Sequence, residues 1–250
     1  MISQPMGDTM LTKTQVAVAN GHTLFQATLK DTSVDTLGKS ERVIKESTNV
    51  KLGKRVVKGK LKGFKIFTVT LEERKTCPRS CAHWADCYGN NMPFATRYAA
   101  NDALVDRMES ELEQLQKKNP KGFLVRLHIL GDFYSVDYVN KWKEWLARFP
   151  ALHVYGYTAN QPDAVDPKER GIGQAVLDVQ GADPIRFAVR FSGNFKRDSM
   201  TALSGDDTRA TDMVDQGKAF VCPVQTDKTA SCGTCGLCWT ATKAVVFLTH

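Results

Sequence analysis

The chain has 250 residues, 42% of them hydrophobic and 24% charged, with seven cysteines and a net charge of +7. A chain of this size and composition can bury a full core, so its cysteines are not needed as the staples of a small secreted scaffold. An odd cysteine count excludes complete intramolecular disulfide pairing, and no stretch reaches the length of a membrane span. Residues 1–8 lack the basic run and apolar stretch of a signal peptide, so the expectation is a cytoplasmic protein with reduced thiols.

Residues 1–38 are polar, with short apolar stretches at Val16-Ala17-Val18 and Leu24-Phe25, and predict a hairpin or a partly ordered arm. Residues 39–65 hold ten Lys and Arg against two acids, Glu41 and Glu46, so the positive charge is one local patch. Gly53, Gly59 and Gly63 within it suggest turns and a hairpin. The lysines are either a solvated rim or a surface for nucleic acid, another polyanion or a host partner.

From residue 64 apolar runs alternate with helical periods. Phe64–Leu71 reads as a strand, and residues 93–117 read as a helix with Pro93 in its first turn and Asn119-Pro120 as its stop. Phe123–Leu130 is a second strand, and Ser135 caps a helix that Pro150 closes. Leu152–Tyr157 is a third strand, followed by a helix around 168–179. Ile185–Phe191 is a fourth strand, Ala219–Val221 a fifth and Ala244–Leu248 a sixth, while the polar stretch 195–217 predicts at most a short helix.

This alternation argues for parallel βαβ units. The expected class is α/β, either a partial (β/α)6-type barrel or an open parallel sheet. Residues 1–63 would form a polar then basic extension, and 64–250 a barrel-like domain with a cysteine loop at 222–239. Small and polar residues gather where the strands end, at Gly131-Asp132, Asn160, Ser192 and Asn194. In α/β folds these strand ends form ligand sites, so these five residues are candidate cofactor contacts; the alternative is that they cap turns. Arg126, His128, Leu130 and Asp132 would share one strand face, with His128 more simply a hydrogen-bonded core residue. Trp84 and Tyr88 would cover a metal site or join the core, and Trp142 and Trp145 would pack a helix on the sheet.

The cysteines fall into two groups, Cys77, Cys81 and Cys87 spaced C-x3-C-x5-C, and Cys222, Cys232, Cys235 and Cys238 spaced C-x9-C-x2-C-x2-C. Three thiolates on one loop suit a 4Fe-4S cluster with one open iron, while His83 between them would complete a zinc site instead. In the second group, the overlapping C-x2-C-x2-C run with a distant fourth cysteine is a ferredoxin-like pattern for a closed cluster, with zinc as the rival. A further arrangement lets a cysteine of the second group complete the first site.

A strand that feeds a three-cysteine loop resembles the radical S-adenosylmethionine superfamily. Cys77-x3-Cys81 and the Cys87-Tyr88 ending match that superfamily's pattern, with a second gap three residues longer than its usual spacing. Leu130-Gly131-Asp132-Phe133 stands where its glycine-rich turn would be, without the second glycine and the glutamate. Lys51-Leu52-Gly53-Lys54, Thr76-Cys77-Pro78, Cys87-Tyr88, the Gly131 turn and the Cys232–Trp239 tail together resemble a phage family, the gene product eighty-eight family. The resemblances imply one or two clusters, S-adenosylmethionine at the open iron, an electron donor, an unknown substrate and a host-cell cytoplasmic location.

Overall fold

The stretches Phe123-Leu124-Val125-Arg126-Leu127 and Phe187-Ala188-Val189-Arg190-Phe191 are too apolar for either sheet face to lie in water, and both become central strands. The computed structural model describes residues 12–33, 41–193 and 200–248. In chain order they form α1 (Lys13–Asn20), β1 (Leu29–Lys30), β2 (Lys45–Glu46), β3 (Lys65–Thr68), β4 (Arg97–Tyr98), α2 (Asp102–Lys118), β5 (Phe123–Leu127), α3 (Val136–Arg148), β6 (Leu152–Thr158), α4 (Pro167–Ala182), β7 (Phe187–Ser192), β8 (Thr201–Ser204), α5 (Thr208–Asp215), β9 (Ala219–Val221), α6 (Cys232–Cys235), α7 (Leu237–Thr240) and β10 (Ala244–Phe247). Eight strands make one sheet in the order β2-β3-β5-β6-β7-β8-β10-β9, parallel throughout except for β2 against β3. β1 and β4 form a separate parallel pair.

The strand register separates two faces. Phe123, Val125 and Leu127 of β5, Leu152 and Val154 of β6, and Phe187, Val189 and Phe191 of β7 join one core with the apolar stripes of α2, α3 and α4. Farther along the sheet, α5 packs through Ala210, Met213 and Val214 on Leu203, Ala244 and Val246. Thr201, which precedes Leu203 on the same strand face, is registered with Phe191, so α5 lies on the same side as the other three helices. The opposite face carries Ile66, Leu124, Tyr155 and Ala188, and is covered by Val56, Cys238 and Trp239. One face thus carries the helices and the other the cysteine tail.

Several boundaries differ from the sequence expectation for identifiable reasons. The helix expected at 93–117 begins at Asp102, because the Asn101 side chain accepts the Leu104 N–H and caps it there. Pro93 lies in the loop before it, and Arg97-Tyr98 is a strand. The expected arm holds α1, capped by Thr12 and Gln15 in a reciprocal capping box. The short strand at Thr201–Ser204 escaped a reading of 195–217 as polar. Arg55 bridges Lys65, and Lys45 pairs with Thr68. Trp142 and Trp145 are buried against each other in the helix layer, as expected.

His128 corrects the idea of one shared face for Arg126 to Asp132. β5 ends at Leu127, and His128 turns to the helix layer, where its Nε2 stands 3.1 Å from the Tyr138 hydroxyl and its ring meets Phe133 edge-on. Burial first, and Arg126 second, hold its pKa down at about 3. The imidazole is therefore neutral when folded and takes up a proton on unfolding below pH 6.5, so its contribution to stability is present above that pH and is lost as pH falls towards 3. His128→Gln should lose this dependence. Between pH 6.5 and 5 the stability advantage of the natural chain over the variant should shrink by about 2 kcal/mol in urea titrations.

Candidate metal centres

The first cysteine loop is built around two buried arginines. Beyond β3 the chain makes a bridge from Leu71 to Tyr98, and Glu72, Glu73 and Arg74 follow in the interior. A buried guanidinium has five N–H donors to satisfy, and here the cysteine loop supplies much of what they need. Arg97 donates to the Glu73 carboxylate at 2.7 Å and to the carbonyls of Gly89, Met92 and Ala95 at 3.0, 3.1 and 2.7 Å. Arg74, held at a positive φ of 63°, donates to the Trp84 carbonyl at 2.9 Å and to Asn90 Oδ1 at 2.8 Å. A Cβ on Gly89 would stand 2.8 Å from Glu73 Oε1, so the loop can approach the ion pair only as glycine.

The N-terminal segment closes over this loop. The Val18 carbonyl accepts the Trp84 indole N–H at 3.1 Å, the Arg79 guanidinium lies 4.4 Å over the Trp84 ring, and Thr23 Oγ1 donates to Glu73 at 2.7 Å. Trp84 is therefore half-buried, whereas Tyr88 is exposed and does not cover the site. His83 stands at the surface 3.5 Å from Asp86. Burial pushes all three thiol pKa values up, that of Cys81 to about 11; Asp132 adds to the effect at Cys77 and Cys81. Neutral thiols are thus favoured until a metal is bound, which deprotonates them outright.

Thr76 links this loop to the candidate strand-end residues. Its Oγ1 accepts the Asp132 N–H at 3.1 Å, and a Cβ on Gly131, which has a φ of +81°, would come within 2.6 Å of the same oxygen. The Asp132 carboxylate is buried and accepts the Phe133 N–H, the Thr158 hydroxyl and the Ala159 N–H, each at 2.7 Å. Burial nevertheless raises its pKa to about 6. Asn160 donates to the Phe133 carbonyl at 3.0 Å. Asp132 and Asn160 thus tie the exits of β5 and β6 together beside Cys77, as turn-capping residues do. The Ser192 carbonyl accepts from Gln161, the neighbour of Asn160, and Asn194 lies outside the described residues.

The tail group is set by α6 and α7. Ser231 and Thr234 form a capping box at the start of α6, and Gly236, at a φ of +77°, turns the chain between the helices. Cys232 and Gly233 donate their N–H groups to the carbonyls of Lys51 and Leu52 at 2.8 and 3.0 Å, and Val57 donates back to Gly233 at 2.8 Å. Gly233 has no room for a side chain, because a Cβ would lie 2.3 Å from the Arg55 carbonyl. Cys222, Cys232, Cys235 and Cys238 line one small cavity with Leu237 and Trp239. Burial pushes the Cys232 thiol up to about 12, and Arg126 opposes the shift.

A third buried arginine holds this loop. Arg190, 2% exposed, donates to the carbonyls of Cys238, Lys243 and Ala241 at 3.1, 2.9 and 2.9 Å. The Tyr157 hydroxyl donates to Cys238 Sγ at 2.9 Å, and Arg126 lies 4.6 Å over the Tyr157 ring. Tyr157, Arg126, Arg190, Arg74, Arg97 and Glu73 were not selected from the sequence. For Arg126 and Arg190 the signal was legible: each is a charge at an alternate position in an otherwise apolar strand. Among the described residues no three His, Cys, Asp or Glu side chains are gathered tightly enough to hold a single metal ion.

The fold and its sites define an α/β protein with one cysteine group on the loop that follows β3 and a second on a tail that covers the sheet face opposite α2 to α5. A family model described as Gene product 88 matches residues 42–241, and the chain belongs to that phage family. No curated protein and no solved structure gives a significant match, and the comparisons lend no support to the radical S-adenosylmethionine superfamily. No helix among the described residues is long and apolar enough to cross a membrane.

The Arg97–Glu73 pair should hold the first loop alone. Glu73→Gln leaves a buried guanidinium without its counter-charge and should cost about 3 kcal/mol. In the metal-free protein, alkylation of Cys87 should accelerate while that of Cys222 stays unchanged, as read by peptide mass mapping.

Proposed function

We propose that the chain is an iron–sulfur protein with two clusters, and that the loop at 77–87 makes it an enzyme of the radical S-adenosylmethionine type. The observation that carries the two-cluster reading is the tail cavity, which four cysteines from two segments line together. The donor sets fit: three thiols on one loop leave a cubane one open iron, and four thiols close another. Such an open-iron cluster supplies the reductive cleavage of a sulfonium ligand when one is bound. The chain's own residues would orient the loop through Arg74 and Arg97, and exclude water with Trp84 and the segment around Val18. Asp132 and Asn160 would hold the neighbouring strand exits in place. That all the longer helices lie on one sheet face favours a barrel-like curl over a doubly wound sheet, which carries helices on both faces.

Anaerobic purification should give about eight irons and eight sulfides per chain, four of each per cubane. Cys81→Ser and Cys235→Ser should each remove about half. S-adenosylmethionine should then alter the paramagnetic spectrum of the reduced Cys235→Ser protein and leave that of the Cys81→Ser protein unchanged. Stoichiometric zinc without sulfide would sink the cluster reading, and an unresponsive spectrum would leave the clusters and remove the radical chemistry.

A second reading rests on the lysine loop. Lys51, Lys54, Arg55, Lys58, Lys60 and Lys62 are exposed, and none has an ion-pair partner among the described residues. They would serve as a surface for nucleic acid beside the tail site. Affinity for single-stranded DNA should then fall steeply with salt, and changing Lys54, Arg55, Lys58 and Lys60 together to Glu should abolish it. Binding that ignores both would dismiss this surface.

A further inference from the structure

The two cysteine groups sit in opposite electrostatic surroundings. Two arginines stand against the tail site, while the acid of its intervening segment, Asp227, is exposed. Arg190 lies under α7 and donates to the carbonyl of Cys238 itself, and Arg126 stands over the ring of Tyr157. Neither arginine pairs with a carboxylate among the described residues; their partners are main-chain carbonyls and aromatic faces. Tyr157 adds a hydrogen bond aimed at a ligating sulfur. Around the first loop the balance tips the other way. Asp132 donates its N–H to Thr76, the residue before Cys77, and Asp86 lies in the loop between Cys81 and Cys87. Of the three arginines there, Arg97 is already neutralised by Glu73 at 2.7 Å, Arg74 donates to the Trp84 carbonyl and Asn90, and Arg79 lies over the Trp84 ring.

Reduction adds one negative charge to a centre that is already anionic. Unpaired guanidinium groups and an O–H donor to sulfur stabilise that added charge, and nearby carboxylates oppose it. Resting on the iron–sulfur reading above, we propose that the tail site has the higher reduction potential of the two and takes the first electron that a donor delivers, with Arg126, Arg190 and Tyr157 as the residues that set it. Tyr157 and the arginines are positioning residues in this role. Each reduction adds one electron to one cluster and oxidises a low-potential one-electron donor by one electron; no bond to the protein forms or breaks, and no proton moves. The first site, beside its carboxylates, then needs a stronger reductant or an electron held in waiting at the tail.

The test is an anaerobic redox titration of the holoprotein, with dithionite as donor and paramagnetic resonance as readout. Two one-electron steps are expected; Cys235→Ser should abolish the higher one and Cys81→Ser the lower. Tyr157→Phe, which removes only the hydroxyl, should lower the higher step. At a fixed potential the ratio of reduced to oxidised tail cluster should fall about tenfold, equivalent to 59 mV for one electron, while the lower step stays in place. Should Cys235→Ser fail to fold, Cys81→Ser and Tyr157→Phe still assign the two steps. Coincident steps, a reversed order or a Tyr157→Phe shift in the lower step would overturn the proposal while leaving the clusters intact. A protein without iron and sulfide would overturn the iron–sulfur reading and this inference with it.

Discussion

A guanidinium group withdrawn from water must find acceptors for its N–H donors, and this need shapes both cysteine loops. Arg97 and Arg74 gather the carbonyls of residues 84–95, and Arg190 gathers those of residues 238–243. Loops have no internal ladder to satisfy their carbonyls, so burying a loop that must present thiols is costly unless donors come from elsewhere. Each arginine meets that need at one end and is itself satisfied by it at the other. The loops are therefore fixed by the strands and turns that carry the arginines, close in sequence for the first loop and, through Arg190, far away for the tail. Lysine could not substitute, since it lacks the planar fork that reaches several carbonyls at once.

The sheet makes this possible by segregating its faces. With α2 to α5 all on one side, the other side of β5, β6 and β7 is free to receive residues 51–64 and 231–239. That side is mixed rather than uniformly apolar: Leu124 and Tyr155 alternate along their strands with Arg126 and Tyr157. Gly156 sits between the two tyrosines because a Cβ there would lie 2.0 Å from the Leu127 carbonyl, so β6 keeps its register only with glycine.

How much of this could be read from the sequence depended on the range of the interactions involved. The strands at 123–127, 152–158, 187–192, 219–221 and 244–247 announce themselves through composition, and Ser135 and Asp166 cap their helices locally. The cysteine spacing likewise exposes two candidate sites, and His128 declares itself as a core residue. The start of α2 was misplaced because Pro93 is a plausible first-turn residue, and only the carbonyl contacts of Arg97 show that 92–95 is bound as a loop. The docking of residues 18–23 on Trp84 and Glu73 involves partners about sixty and fifty positions away, with no local period to reveal it. Asp132 and Asn160 were legible as strand-end residues, but their hydrogen bonds point to one another's turns, which spacing alone does not show.

The lysine loop and the tail cysteines, which look like two features in the sequence, are one mechanical unit. Three backbone hydrogen bonds join residues 51–57 to Cys232 and Gly233, and Ser231 packs on Gly53, where a Cβ would stand 2.9 Å from its hydroxyl. On the cluster reading proposed above, a metal bound at the tail would order residues 232–238 further, because it would deprotonate the buried Cys232 and Cys238 thiols, whose pKa values burial raises. Binding there would stabilise the conformation in which Lys51, Lys54 and Arg55 are displayed, and by linkage any partner that prefers that display would strengthen metal retention by the same factor. The basic patch and the cysteine tail are therefore best treated as a single structural element, with the cysteines lining its cavity and the lysines as its outward face.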